Sequence, residues 1–181
     1  MLIRIAARTL LLTGLCLLLA ACGGSKTAVR KEQTFTVVPP HESLYVVPFT
    51  TVMVPGEVNE SIFDEFVDAL IAGAGSRQYD FVILKRGLDQ IDAEWLGSHY
   101  YITGDLFAYV EDGGCCNTTI RSRSRLRLYQ PGQSEPTLVM EYPREIFFDH
   151  DYSTIAAQRY RLAKDIATTL ANKLLKSLAG S

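Results

Sequence analysis

Cysteine and histidine are scarce, four and three of 181 residues. Four cysteines are too few for a disulfide scaffold in a chain of this size, and they lack the paired spacing of a zinc site. Charge of one sign is equally lacking: eighteen basic against twenty acidic side chains leave a net charge of -2. No global positive field exists to hold a nucleic acid backbone. There is no Gly-x-Ser-x-Gly turn, no glycine-rich phosphate loop after a strand, and no repeat of 20 to 50 residues. His41, His99 and His150 are scattered, and Asp149-His150-Asp151 before a helix reads most simply as caps and solvated charge. The sequence therefore points away from an enzyme, and no cofactor or resident metal is expected. What remains is 48% apolar and 21% charged, the balance of one globular domain.

The apolar run Leu10 to Leu19, preceded by Arg4 and Arg8, is short for a permanent membrane helix and is placed as an export signal. It ends Leu19-Ala20-Ala21-Cys22-Gly23, which resembles the bacterial lipobox: small residues admit the processing peptidase, and the thiol of Cys22 takes the lipid. The alternative is an ordinary secretory signal with a chance cysteine at its end. Several acyl chains on one residue make a stable anchor without a transmembrane helix. Cleavage removes Cys16 with residues 1–21, and Gly23 after the lipidated cysteine leaves the outer membrane, periplasmic face, as the default destination. Residues 22–42 are expected to be a flexible tether and residues 43–181 the periplasmic domain.

Within that domain, Leu44 to Phe49 reads as a buried strand. Ile62, Phe63, Phe66, Val67, Leu70 and Ile71 mark an amphipathic helix capped by Asn59 or Ser61 and left at Gly73 and Gly75. A strand at Phe81 to Leu84 and a short helix from about Leu88 to Leu96 follow. Three longer strands are expected at 100–111, 118–129 and 137–148. In the first, Ile102, Leu106, Ala108 and Val110 share one face if alternation holds. A long C-terminal helix, capped by Asp151 or Ser153, closes the chain. The fold class is α+β: a mixed, largely antiparallel sheet of four to five strands packed by two amphipathic helices, in the order β-α-β-α-β-β-β-α.

The second long strand places Arg121, Arg123, Arg125 and Arg127 on one side. Such a stripe is either an ion-paired sheet face, with Asp105, Glu141 and Glu145 across the ladder and Phe107, Tyr101 and Tyr109 against the guanidinium planes, or a face for a protein partner. Cys115 and Cys116, in the preceding loop, can form a disulfide, remain as two thiols or meet a metal, the last disfavoured by the lack of further soft ligands.

The run Ile83-Leu84-Lys85-Arg86-Gly87-Leu88-Asp89-Gln90-Ile91 and the strand Tyr101-Ile102-Thr103-Gly104-Asp105-Leu106, with the Pro131-Gly132 turn, resemble the TolB N-terminal, CsgG and LpoB group of periplasmic lipoproteins and domains. The resemblance covers Leu44 to about Leu178. It implies a non-catalytic accessory protein that contacts a cell-envelope partner, as peptidoglycan-synthase activators do. A lipid-handling lipoprotein similar to the lipopolysaccharide-assembly component LptE is the alternative. A CsgG-like pore fits poorly, because alternation in the arginine strand would turn either Arg or Ser toward hydrocarbon.

Overall fold

The computed structural model describes residues 27–74 and 79–180. Cys22 and Gly75 lie outside the described residues, as does the whole signal segment. Among the described residues no helix is long and apolar enough to cross a membrane.

Strands β1 (Ala28–Lys31), β2 (Ser43–Val46) and the two-residue β3 (Thr50–Thr51) precede helix α1 (Gly56–Ala74). Strand β4 (Asp80–Ile83), a 3-10 turn at Leu88–Gln90 and helix α2 (Ala93–Gly97) lead into β5 (Tyr100–Gly113), β6 (Asn117–Tyr129) and β7 (Leu138–Asp149). Helix α3 (Ile155–Leu178) ends the fold. The single sheet runs β1-β7-β6-β5-β2-β4, with β3 also against β5. The antiparallel meander β5-β6-β7 is as expected, and β2 joins it in parallel between β5 and β4. Seven strands form rather than four or five. The two additional strands are short, and neither carries an apolar alternation that marks a strand from sequence.

Both long helices lie on one face. Ile62, Phe66 and Leu70 of α1 and Leu162, Ile166, Leu170 and Leu174 of α3 are fully buried against Leu106, Ile120, Leu126 and Met140. Each such side chain removed from water contributes roughly 1.5–3 kcal/mol, so this layer is the main stabilising term. Two side chains of β7 converge on α3 as well: Tyr142 Oη donates to Asp165 Oδ2 at 3.1 Å, and Arg144 pairs with the same carboxylate at 2.6 Å.

Several local expectations are corrected. Helix α1 starts at Gly56, so Asn59 and Ser61 sit inside it. Asn59 Oδ1 accepts from Thr51 Oγ1, and Ser61 Oγ donates to the Glu57 carbonyl. Gly73 lies in the last turn of α1, next to its end at Ala74, and is also a point of close helix approach, where an added Cβ would lie 2.3 Å from Leu175 Cδ1. The cap of α3 is Thr154, whose hydroxyl accepts from Ala157 N at 3.2 Å, while Asp149 holds the Asp151 amide and Ser153 meets Gln158. The stretch 88–96 divides into a 3-10 turn and a shorter helix because the Asp92 side chain caps a new start by accepting from Trp95 N.

The largest difference lies in the stretch expected as tether. Ala28–Lys31 pairs antiparallel with β7, from Ala28 opposite Glu141 to Lys31 opposite Leu138. Beyond it the Gln130 amide accepts from Thr36 N and donates to Thr36 O, and Val38 is fully buried. Isolated apolar residues in a polar stretch give no period to read, but here they close one end of the core.

Pro48 interrupts the line of β2 and β3, and Phe49 turns inward against Phe66 and Phe63, ring centroids 4.9 and 5.7 Å away. The ring of Phe49 lies over Gly104, whose missing Cβ would stand 2.3 Å from Phe49 Cε1. Gly104→Ala is expected to cost about 1–3 kcal/mol in urea unfolding, as overpacked cores do. Adding Phe49→Leu should recover part of that loss. Strictly additive effects in the double-mutant cycle would remove the ring from the account.

Candidate functional site

Among the described residues the second face of the sheet carries no long helix, and it displays the arginine strand. Ser122 and Ser124 point to the helices and are buried, while Arg121 and Arg123 are exposed on the opposite side. The four guanidiniums do not behave alike. Asp105 accepts from Arg125 at 3.2 Å and pairs with Arg127 at 3.3 Å, and its side chain is only 15% exposed. Arg125 also stacks on Phe107, 4.6 Å from the ring centroid. These two arginines are locked in place. Arg121 reaches Asp112 and Glu145 with more than half of its side chain in solvent. Arg123, opposite Ala108 and Pro143, has no ion pair among the described residues.

The acids found across the ladder are Asp105 and Glu145, as expected, together with Asp112, which alternation alone did not indicate. Glu141 stands opposite Arg125 but forms no ion pair among the described residues. A bulge in β5 explains the changed geometry: Leu106 faces Ser124, and the next pairing is Ala108 with Arg123, leaving Phe107 extra. Ala108 and Val110 are therefore moved to the open face, where Val110 is half exposed, and do not share the buried side of Ile102 and Leu106. Tyr109 and Glu111 pass to the helix side. Tyr101 meets no guanidinium either; its ring stacks on Tyr129 at 4.4 Å. At that end of the face, Trp95 of α2 packs on Tyr45 and stacks with His99.

Two shallow grooves flank the β6–β7 ridge on this face. One, of about 350 Å³, lies between Val110, Arg123, Pro143 and Glu145. The other, of about 670 Å³, lies between Arg30, Arg127, Val139 and Glu141. Exposed Phe147 shares the face, since β7 alternates Glu141, Pro143, Glu145 and Phe147 outward.

No protein-family profile and no curated protein matches the chain. Solved structures do. The PelC dodecamer of Paraburkholderia phytofirmans is similar over 82% of this chain and 98% of its own, at 10% identity and a TM-score of 0.53. A neuraminyllactose-binding hemagglutinin homolog from Helicobacter pylori is similar over 83% of this chain and 92% of its own, at 9% identity and a TM-score of 0.51. The likeness is one of fold, and it is broader than the TolB N-terminal, CsgG and LpoB group suggested by the sequence motifs.

On the helix side, the residues turned inward by the bulge build a charged latch. Arg159 of α3 donates through Nε and Nη2 to the two oxygens of Glu111 at 2.8 and 2.9 Å, and Tyr109 donates to the same carboxylate. Arg159 also approaches Glu57 of α1 at 3.6 Å. The bidentate Arg159 hydrogen bonds hold the Glu111 carboxyl below the usual carboxylate range against the opposing effect of burial, with Tyr109 adding to the shift. Burial, then the bond to Glu111, pushes the Tyr109 hydroxyl well above its ordinary value.

Cys115 and Cys116 lie exposed at the β5–β6 turn, their Sγ atoms 3.1 Å apart, and the Cys116 carbonyl accepts from His150 N at 2.8 Å. The hydrogen bond with Cys115 raises the Cys116 thiol above its ordinary value. Among the described residues no three His, Cys, Asp or Glu side chains converge to hold a metal. His150 Nε2 meets Thr118 Oγ1, and His99 Nδ1 meets the Trp95 carbonyl.

Two expectations follow from these contacts. Because folded Glu111 titrates below its unfolded value, the stabilisation it provides is complete above the unfolded carboxylate range and is lost as pH falls through the folded value. Glu111→Gln should therefore flatten the acid limb of a stability–pH profile, while Arg159→Leu should cost roughly 1.5–3 kcal/mol at neutral pH. An unchanged acid limb in Glu111→Gln would place the titration elsewhere. For the cysteines, denatured protein taken from an oxidising compartment should show no disulfide-linked dimer and accept two alkyl groups only after reduction. Labelling of both thiols without reductant, or a disulfide-linked dimer, would show that the vicinal pair does not close.

Proposed function

We propose that the protein is an outer-membrane lipoprotein, acylated at Cys22 and facing the periplasm, that serves as a non-catalytic accessory of a cell-envelope machine. The lipobox carries this reading. The open sheet face supports contact, because Arg121 and Arg123 stand exposed on it beside shallow grooves. The shortness of the span between anchor and domain refines the reading. Only residues 23–27 separate Cys22 from Ala28, so the link reaches roughly 20–22 Å when fully extended. A domain so held works beside its membrane, not across the periplasm as a long-tethered synthase activator would.

That constraint favours a partner embedded in or lying on the same leaflet, and it gives weight to the second reading, a lipid-handling subunit similar to LptE. The PelC structure is a dodecamer, so assembly of several copies around one partner is part of the proposal.

The test is fractionation of the native protein and of Cys22→Ser, with intact mass. The native chain should sediment with outer membrane and carry acyl mass on a polypeptide that begins at Cys22, and Cys22→Ser should be released or retained as unprocessed precursor. Detergent-solubilised native protein, cross-linked in place, should bring an envelope component with it and run larger than a monomer. An unacylated cytosolic chain would overturn the proposal.

A further inference from the structure

The span that limits reach also bounds which part of the surface can meet the anchored leaflet. Taking Cys22 as the anchored residue, an inference that rests on the proposed acylation, the acyl chains lie within roughly 20–22 Å of Ala28. Ala28 stands opposite Glu141 on the open-face side of β7. Arg123 is two strands in and two residues along from it, about 12 Å at ordinary strand spacings, and Phe147 is about 20 Å away along β7. The exposed groups of the open face thus fall inside the radius that the anchor allows.

We infer that the β6–β7 half of the open sheet face docks on the leaflet carrying the anchor, with Arg121 and Arg123 meeting headgroup phosphates, Glu141 and Glu145 meeting headgroup ammonium groups, and Phe147 and Val110 entering the interface. The occupant is a zwitterionic phospholipid surface. Its phosphate and ammonium match Arg123 and Glu141, which have no ion pair among the described residues, and the exposed Arg121–Glu145 pair, which can exchange partners at the surface; Phe147, 67% exposed, supplies an apolar wedge. Arg125 and Arg127 do not take part, because Asp105 already neutralises them. The helical layer is the other large surface. Its α1 side carries Glu57, Glu60, Asp64, Glu65 and Asp68 and no basic side chain, while Arg161, Lys164, Lys173 and Lys176 stand exposed on α3, so this layer is the competing orientation against which the open face is measured.

The experiment uses the mature chain from Cys22, with Cys115→Ser and Cys116→Ser, coupled through Cys22 to a maleimide lipid in phosphatidylethanolamine vesicles containing a minority of phosphatidylglycerol. Acyl chains brominated near the headgroup quench nearby tryptophan. Phe147→Trp should be quenched at least about threefold more than Tyr160→Trp on the helical layer, after subtraction of the Trp95 signal. Arg121→Glu with Arg123→Glu, shown to fold by an unchanged thermal transition, should abolish the difference, and Arg121→Gln with Arg123→Gln should reduce it. Stronger quenching at Tyr160→Trp, or equal quenching at both, would overturn the docking. So would the absence of quenching at Phe147→Trp, which would leave that face open to a protein. Failure of the acylation reading is seen separately, in the intact mass of the native protein, since the coupled lipid makes the quenching independent of cellular processing.

Discussion

The bulge at Phe107 is the constraint on which the remaining geometry depends. One extra residue in β5 rotates everything after it by half a strand period. Before it, Ile102, Gly104 and Leu106 face the helices; after it, Tyr109 and Glu111 do. Had alternation continued, Glu111 would point to solvent, Arg159 would be a partly buried cation without its bidentate partner, and Val110 would compete for space beneath α3. With the bulge, a charged latch closes the α3 end of the sheet, while Phe107 covers the Arg125 guanidinium on the other side. A single irregularity thus serves both faces.

The regular parts of the fold were legible in the sequence because their periods are long. Ile62, Phe66 and Leu70 recur at helical spacing, and Ile120 to Leu128 alternates over nearly a full strand. What escaped reading was short or irregular. β1 is four residues of mixed character whose partner lies more than a hundred positions away. The bulge has no glycine or proline to announce it, and Ala108 and Val110 look apolar enough to be core. Gly73 and Gly104 are also places where another side chain needs the volume of a Cβ, which no local spacing records.

The arginine stripe shows the same division. Sequence offered two readings, a paired surface and a binding surface; ion pairs hold Arg121, Arg125 and Arg127, and Arg123 has none among the described residues. Arg125 and Arg127 are fixed by one largely shielded carboxylate; Arg121 and Arg123 stand toward the solvent. Asp105 decides the split by its depth, a property that comes from the packing of three strands and that no local spacing records.

Strand β7 extends eight residues past the place where β1 stops covering it, from Tyr142 to Asp149. A rim of that length, which no strand covers among the described residues, is a template on which foreign chains can zip, and crowding on a two-dimensional film would raise the rate of such encounters. Pro143 removes one amide from the rim and Arg144 and Glu145 follow it at once, so fibril growth from this margin meets an interruption at its first step.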